Sequence, residues 1–67
     1  MLHFAIIGCG RIAQRHAEHI SKIGKLVAVC DIDLAKARDL ATKFQAEPYQ
    51  YIDDLLQNTP SLDVVSI

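Results

Sequence analysis

At 67 residues the chain is shorter than the ~100–200 residues of an ordinary domain, so it holds one small core at most. Hydrophobic residues make up 51% of it and charged residues 22%, a balance that fits a packed globular segment and excludes a disordered tail. Seven basic and eight acidic side chains are spread along the sequence for a net charge of −1, so there is no basic patch for a phosphate backbone, and nucleic acid is not an expected partner.

The first residues, Met1 to Ile7, are apolar but lack a positively charged leader, and Gly8 ends the run far short of a membrane span. A cytoplasmic protein with no membrane partner is expected. His3 to Ile7 suits a strand buried on both faces. From Arg11 the apolar positions Ile12, Ala13, His16, Ala17, Ile20 and Ile23 recur at helical spacing, and Gly24 offers a left-handed helix stop. Leu26 to Cys30 is a second buried strand ending on Asp31. Asp33 is placed to cap a helix with apolar positions Leu34, Ala37, Leu40, Ala41 and Phe44. Pro48 to Tyr51 reads as a short edge strand, since a proline's missing N–H does little harm there. A brief helix starts at Asp53 or Asp54, Asn58-Thr59-Pro60 breaks it, and Leu62 to Ile67 is a fourth strand.

This alternation predicts a parallel α/β sheet with right-handed crossovers and strand order 3-2-1-4, the first half of a Rossmann-type doubly wound fold. A loop and a further helix should follow the fourth strand. Residues 1–67 are therefore read as the truncated N-terminal portion of a dinucleotide-binding domain, with the catalytic and substrate domain absent.

Gly8-Cys9-Gly10-Arg11-Ile12-Ala13 matches G-x-G-x-x-G/A after a strand and before a helix, and Asp31 closes the next strand about 20 residues on. Gly8 permits the tight turn, Gly10 lets the backbone approach a pyrophosphate, and Ala13 lets helix and strand pack closely. The free N–H groups of Arg11 and Ile12 meet phosphate charge at the helix start. Asp31 is placed to accept hydrogen bonds from the adenosine ribose and to repel a 2′-phosphate that lacks a counter-charge, so NAD is expected over NADP.

Other candidates have plainer readings. Asp33 is a cap, and the Arg11 side chain is as well explained by solvent as by phosphate. His16 and His19 are three apart, but with His3 elsewhere no ligand set completes a metal site, and His16 in the apolar stripe reads as a half-buried core histidine. Cys9 and Cys30 read as free thiols that lie close in space, and Tyr49 and Tyr51 as sheet aromatics.

The run Phe4 to Ala13 with His16, then Val27 to Asp31 with Asp33, resembles the start of the glucose-fructose oxidoreductase / inositol dehydrogenase family. Asp54-Leu55-Leu56 and Asp63 to Ile67 resemble that family's short helix and fourth strand. Within the family the chain is most similar to bacterial enzymes that oxidise nucleotide-sugar uronates such as UDP-N-acetylglucosaminuronate for surface polysaccharide synthesis. The resemblance implies an NAD(P)-dependent sugar oxidoreductase, homo-oligomeric when full length, whose second α+β domain shapes the sugar site. It carries the cofactor role onto Gly8, Gly10, Arg11, Ile12 and Asp31. The family's catalytic lysine, in a Glu-Lys-Pro segment, and its downstream histidine have no counterpart here, so no residue is assigned as catalytic. Two alternatives stand beside this reading: an NAD-binding sensor or transcriptional regulator without turnover, and an S-adenosylmethionine-dependent methyltransferase.

Overall fold

The structure is a computed structural model that describes all of residues 1–67. Strand β1 (Leu2–Ile7) occupies the middle of the sheet because Phe4, Ala5 and Ile6 are all buried, which only a strand covered on both faces allows. It is followed by α1 (Ala13–Ile23), β2 (Gly24–Cys30), α2 (Leu34–Phe44), β3 (Glu47–Tyr49), α3 (Ile52–Asn58) and β4 (Val64–Ser66). The four strands are parallel in the order β3-β2-β1-β4, as the alternation of elements predicts. No helix is long and apolar enough to cross a membrane.

Two cores form, one on each face. Phe4, Ile6, Leu26 and Val29 meet Ala13, Ala17 and Ile20 of α1 and Ala37, Leu40 and Ala41 of α2. On the other face Ala5, Ala28 and Cys30 meet Leu55 of α3, with Ile7, Val27, Tyr49 and Leu62 at the margin. Along β2 the pairing skips from Leu26, opposite Phe4, to Ala28, opposite Ala5. The extra residue, Val27, forms a bulge that re-phases the strand and puts Leu26 and Val29 on one face although they are three apart.

Several boundaries differ from the sequence reading for identifiable reasons. Helix α1 opens at Ala13, with Arg11 and Ile12 in the turn before it, so its buried stripe is the narrow set Ala13, Ala17 and Ile20. His16 falls outside that stripe and is exposed, which corrects its reading as a core histidine. Gly24 is not a left-handed stop: its φ of −172° is extended, and it is the first residue of β2. What requires glycine there is crowding, because a Cβ would stand 2.6 Å from both the Leu2 carbonyl oxygen and Phe4 Cε1. The left-handed helix end belongs to Gln45 instead, at φ 57° after α2. Asp33 does cap α2, accepting the Ala35 N–H at 3.1 Å. Strand β3 is displaced to Glu47–Tyr49 at the sheet edge, α3 opens at Ile52, and β4 is confined to Val64–Ser66.

Candidate functional site

The sheet order reverses at β1, with β2 on one side and β4 on the other, so the chain leaving β1 stands at the crevice where open α/β sheets bind ligands. Gly8 begins that turn at φ +93°, a conformation L side chains rarely adopt. The next amides divide into two groups. Gly8 N–H donates to the Cys30 carbonyl at 2.8 Å, and Cys9 N–H donates to Asp31 Oδ2 at 2.8 Å, tying the turn to the end of β2. The N–H groups of Gly10, Arg11 and Ile12 donate to nothing within the chain. Gly10 has neither a positive φ nor a neighbour within 4 Å of a would-be Cβ, so the chain's own packing does not require glycine there. Three free donors thus stand in the turn just before α1, with open space at Gly10, an arrangement that can receive an anion.

Asp31 is the other pole of the site. Its N–H extends the β2–β3 ladder to the Tyr49 carbonyl at 3.1 Å. Its carboxylate accepts the Asp33 N–H on Oδ1 and the Cys9 N–H on Oδ2, each at 2.8 Å. These bonds from the Asp33 and Cys9 amides hold the carboxyl below the usual aspartate range; partial burial opposes them and the Lys36 ammonium adds to them. Lys36 is a cation near Asp31 where the sequence reading expects no counter-charge for a 2′-phosphate. Each carboxylate oxygen keeps a lone pair for a further donor.

The two cysteines are free and inert. Cys9 is packed in the α1–α2 core and Cys30 in the α3 core on the opposite face, and Cys9 Sγ donates to the Cys30 carbonyl at 3.6 Å. Burial, then the charge of Asp31, pushes the Cys9 thiol up to about 11 and raises Cys30 as well, so neither is a thiolate at neutral pH.

A cleft of about 510 Å³ opens on the β2–β3 side of the turn, lined by Ile7, Gly8, Cys30, Asp31, Ile32 and the segment Gln50 to Asp53. Gln50 Nε2 donates to the Ile32 carbonyl at 3.1 Å and braces its floor. A smaller hollow of about 90 Å³ lies on the β4 side, between Ile7, Gly8, Ile12, His16, Ser66 and Ile67. Ile7 and Gly8 border both, so the glycine turn is the ridge between a larger and a smaller compartment. The Arg11 side chain lines a third hollow, between α1 and α2, together with Lys36 and Lys43.

All five residues expected at the site, Gly8, Gly10, Arg11, Ile12 and Asp31, are gathered at this end of the sheet. Tyr51 is not a sheet aromatic: it caps α3 and stands on the rim of the larger cleft, 60% exposed. Tyr49 is one, half-buried at the end of β3. His16 and His19 are both exposed, His3 meets Ser61 Oγ at 3.0 Å, and no three His, Cys, Asp or Glu side chains are grouped to hold a metal.

Residues 2–67 match the profile of the GFO/IDH/MocA group, described as an oxidoreductase family with an NAD-binding Rossmann fold. Inositol 2-dehydrogenase of Burkholderia cenocepacia is 38% identical over 55 residues, 78% of this chain and 16% of that enzyme. Among solved structures, the WlbA dehydrogenase of Chromobacterium violaceum, in complex with NADH and UDP-GlcNAcA, is 31% identical with a TM-score of 0.81 over 98% of this chain and 20% of its own. GenD2 of gentamicin A biosynthesis, in complex with NAD, is 30% identical with a TM-score of 0.83 over the same shares. The chain thus spans about a fifth or less of the length of these relatives. The methyltransferase alternative gives way, and the chain belongs to the GFO/IDH/MocA oxidoreductase family with its NAD-binding Rossmann fold.

Proposed function

We propose that residues 1–67 are the N-terminal portion of the dinucleotide-binding domain of a cytoplasmic, homo-oligomeric NAD-dependent dehydrogenase acting on a sugar or nucleotide-sugar. The observation that supports this is the set of three unpartnered amides, Gly10 to Ile12, in the turn that follows Gly8, where Gly10 and Arg11 line the hollow between α1 and α2 together with Lys36 and Lys43. A pyrophosphate fits there: the donors are free, the helix start is positive, and no Cβ at Gly10 fills the space. Of the residues lining the larger cleft, Ile32 and Tyr51 would flank the adenine and Asp31 would accept from the ribose. Asp31, ionised at neutral pH, disfavours a 2′-phosphate in that cleft and so favours NAD.

When bound, the nicotinamide accepts hydride from the oxidised carbon; this chain's residues bind and orient it. No residue of this chain is assigned the role of taking the hydroxyl proton or holding the sugar. A ring hydroxyl is the expected substrate class, since a relative is an inositol 2-dehydrogenase and a structural neighbour holds UDP-GlcNAcA. The test is hydride transfer by the full-length protein with NAD and a panel of inositols, free sugars and UDP-sugar uronates. Formation of reduced nicotinamide with a member of the panel is expected. Tight NAD binding with no turnover on any member would favour a sensor, and absence of NAD binding would overturn the reading.

A further inference from the structure

We propose that Asp31 is a positioning residue for the phosphate cradle as well as a ribose acceptor, so that one carboxylate sets the shape of both halves of the adenine-nucleotide site. The inference rests on the cofactor reading above and extends it.

Asp31 Oδ2 receives the Cys9 N–H at 2.8 Å from a residue 22 positions away, and Oδ1 receives the Asp33 N–H at 2.8 Å. The first bond holds the middle of the glycine turn; the second holds the loop that leads into α2. Without the carboxylate, the Cys9 amide would be left without an acceptor in a residue that is 92% removed from solvent, so the turn would have to rearrange to satisfy it. Gly8 N–H on the Cys30 carbonyl fixes only the entrance of the turn, before its flexible positions. The Asp31–Cys9 bond is therefore what aims the following amides, Gly10 to Ile12, outward and in register. A charged acceptor suits this task, because an N–H bond to a carboxylate is stronger than one to a neutral oxygen. The residue that meets the ribose thereby pre-organises the donors that meet the phosphates, and loss of Asp31 weakens binding even of a ligand with no ribose hydroxyls to offer.

That consequence separates the two roles. The full-length protein and its Asp31→Ala and Asp31→Asn variants are titrated calorimetrically with NAD, with ADP and with 2′,3′-dideoxy-ADP, which keeps the diphosphate and lacks both hydroxyls. Asp31→Ala is expected to bind dideoxy-ADP about tenfold more weakly than the unaltered protein does, the size of one charge-assisted hydrogen bond. Asp31→Asn, with a single acceptor oxygen left for two N–H donors, falls between them. In the unaltered protein, free of ligand, the Cys9 amide is expected to exchange slowly with solvent deuterium, a readout that needs no variant to fold. Variants that lose affinity for ADP but bind dideoxy-ADP like the unaltered protein would confine Asp31 to the ribose and overturn the inference, as would a freely exchanging Cys9 amide. Failure of the unaltered protein to bind NAD would instead remove the cofactor reading beneath it.

Discussion

Gly24 and Gly10 stand in opposite surroundings, one crowded and one open, and their substitutions should separate accordingly. Gly24 is crowded by Leu2 and Phe4 and lies on the far side of the sheet from the glycine turn, so Gly24→Ala should cost about 1–3 kcal/mol by overpacking. Urea denaturation would read that loss, while NAD affinity per folded molecule stays unchanged. Gly10 has open space around it, so Gly10→Val should leave the melting midpoint near that of the unaltered protein and abolish NAD binding by filling the cradle. A Gly10→Val protein that still bound NAD would show that the turn faces something else. Asp31 carries the pH dependence of the site. Its carboxyl in the fold lies below its unfolded value, so its contribution is complete above the unfolded pKa of about 3.9 and is lost as pH falls through the lower folded one. The amide resonances of Cys9 and Asp33 should accordingly move together as pH falls, with a midpoint below the ordinary aspartate value. A shift centred at or above that value would contradict the arrangement.

Among the elements, those with a strong local signal were legible from sequence and those set by contacts across the sheet were not. The unbroken apolar runs of β1 and β2 and the Asp33 cap each follow from residues near in sequence. Loss of that cap in Asp33→Ala should cost about 1 kcal/mol in thermal unfolding. The bulge at Val27 leaves no mark because an apolar run without alternation looks the same in either phase. Gly24 was misread because glycine after a helix usually takes a left-handed turn, whereas here α1 passes straight into β2 and the demand for glycine comes from Leu2 and Phe4, some twenty positions away. His16 departs from its reading as a core histidine because the buried stripe of α1 is only the line Ala13, Ala17 and Ile20, and His16 beside it faces the open hollow on the β4 side. At the site the motif spacing pointed to five residues, Gly8, Gly10, Arg11, Ile12 and Asp31, that the fold gathers at one end of the sheet. It did not find the Asp31–Cys9 bond or Lys36, since a side chain bonded to a distant backbone N–H puts no demand on the identity of the residue that donates.

Over the whole molecule the two sheet faces are unequally covered. The α1–α2 face holds eleven buried residues, against four on the α3 face, and Ile52 and Leu56 of α3 and Val64, Val65 and Ile67 at the β4 edge remain exposed. A domain of about 60 residues buries only ~60% of its unfolded surface even when both faces are closed. Expressed by itself, the 67-residue chain should therefore self-associate through these apolar side chains and show no hydride transfer; sedimentation and a turnover assay check the two halves of that statement. The central claim is that the free amides after Gly8 receive the phosphates of NAD, and the most direct measurement is an amide-resolved NMR titration of the full-length protein with NAD. The account predicts that Gly10, Arg11 and Ile12 shift first and furthest, with Asp31, Ile32 and Tyr51 responding along the same binding curve. NAD binding that leaves Gly10 to Ile12 unmoved, or a chain that shows no saturable response to NAD at all, would contradict it.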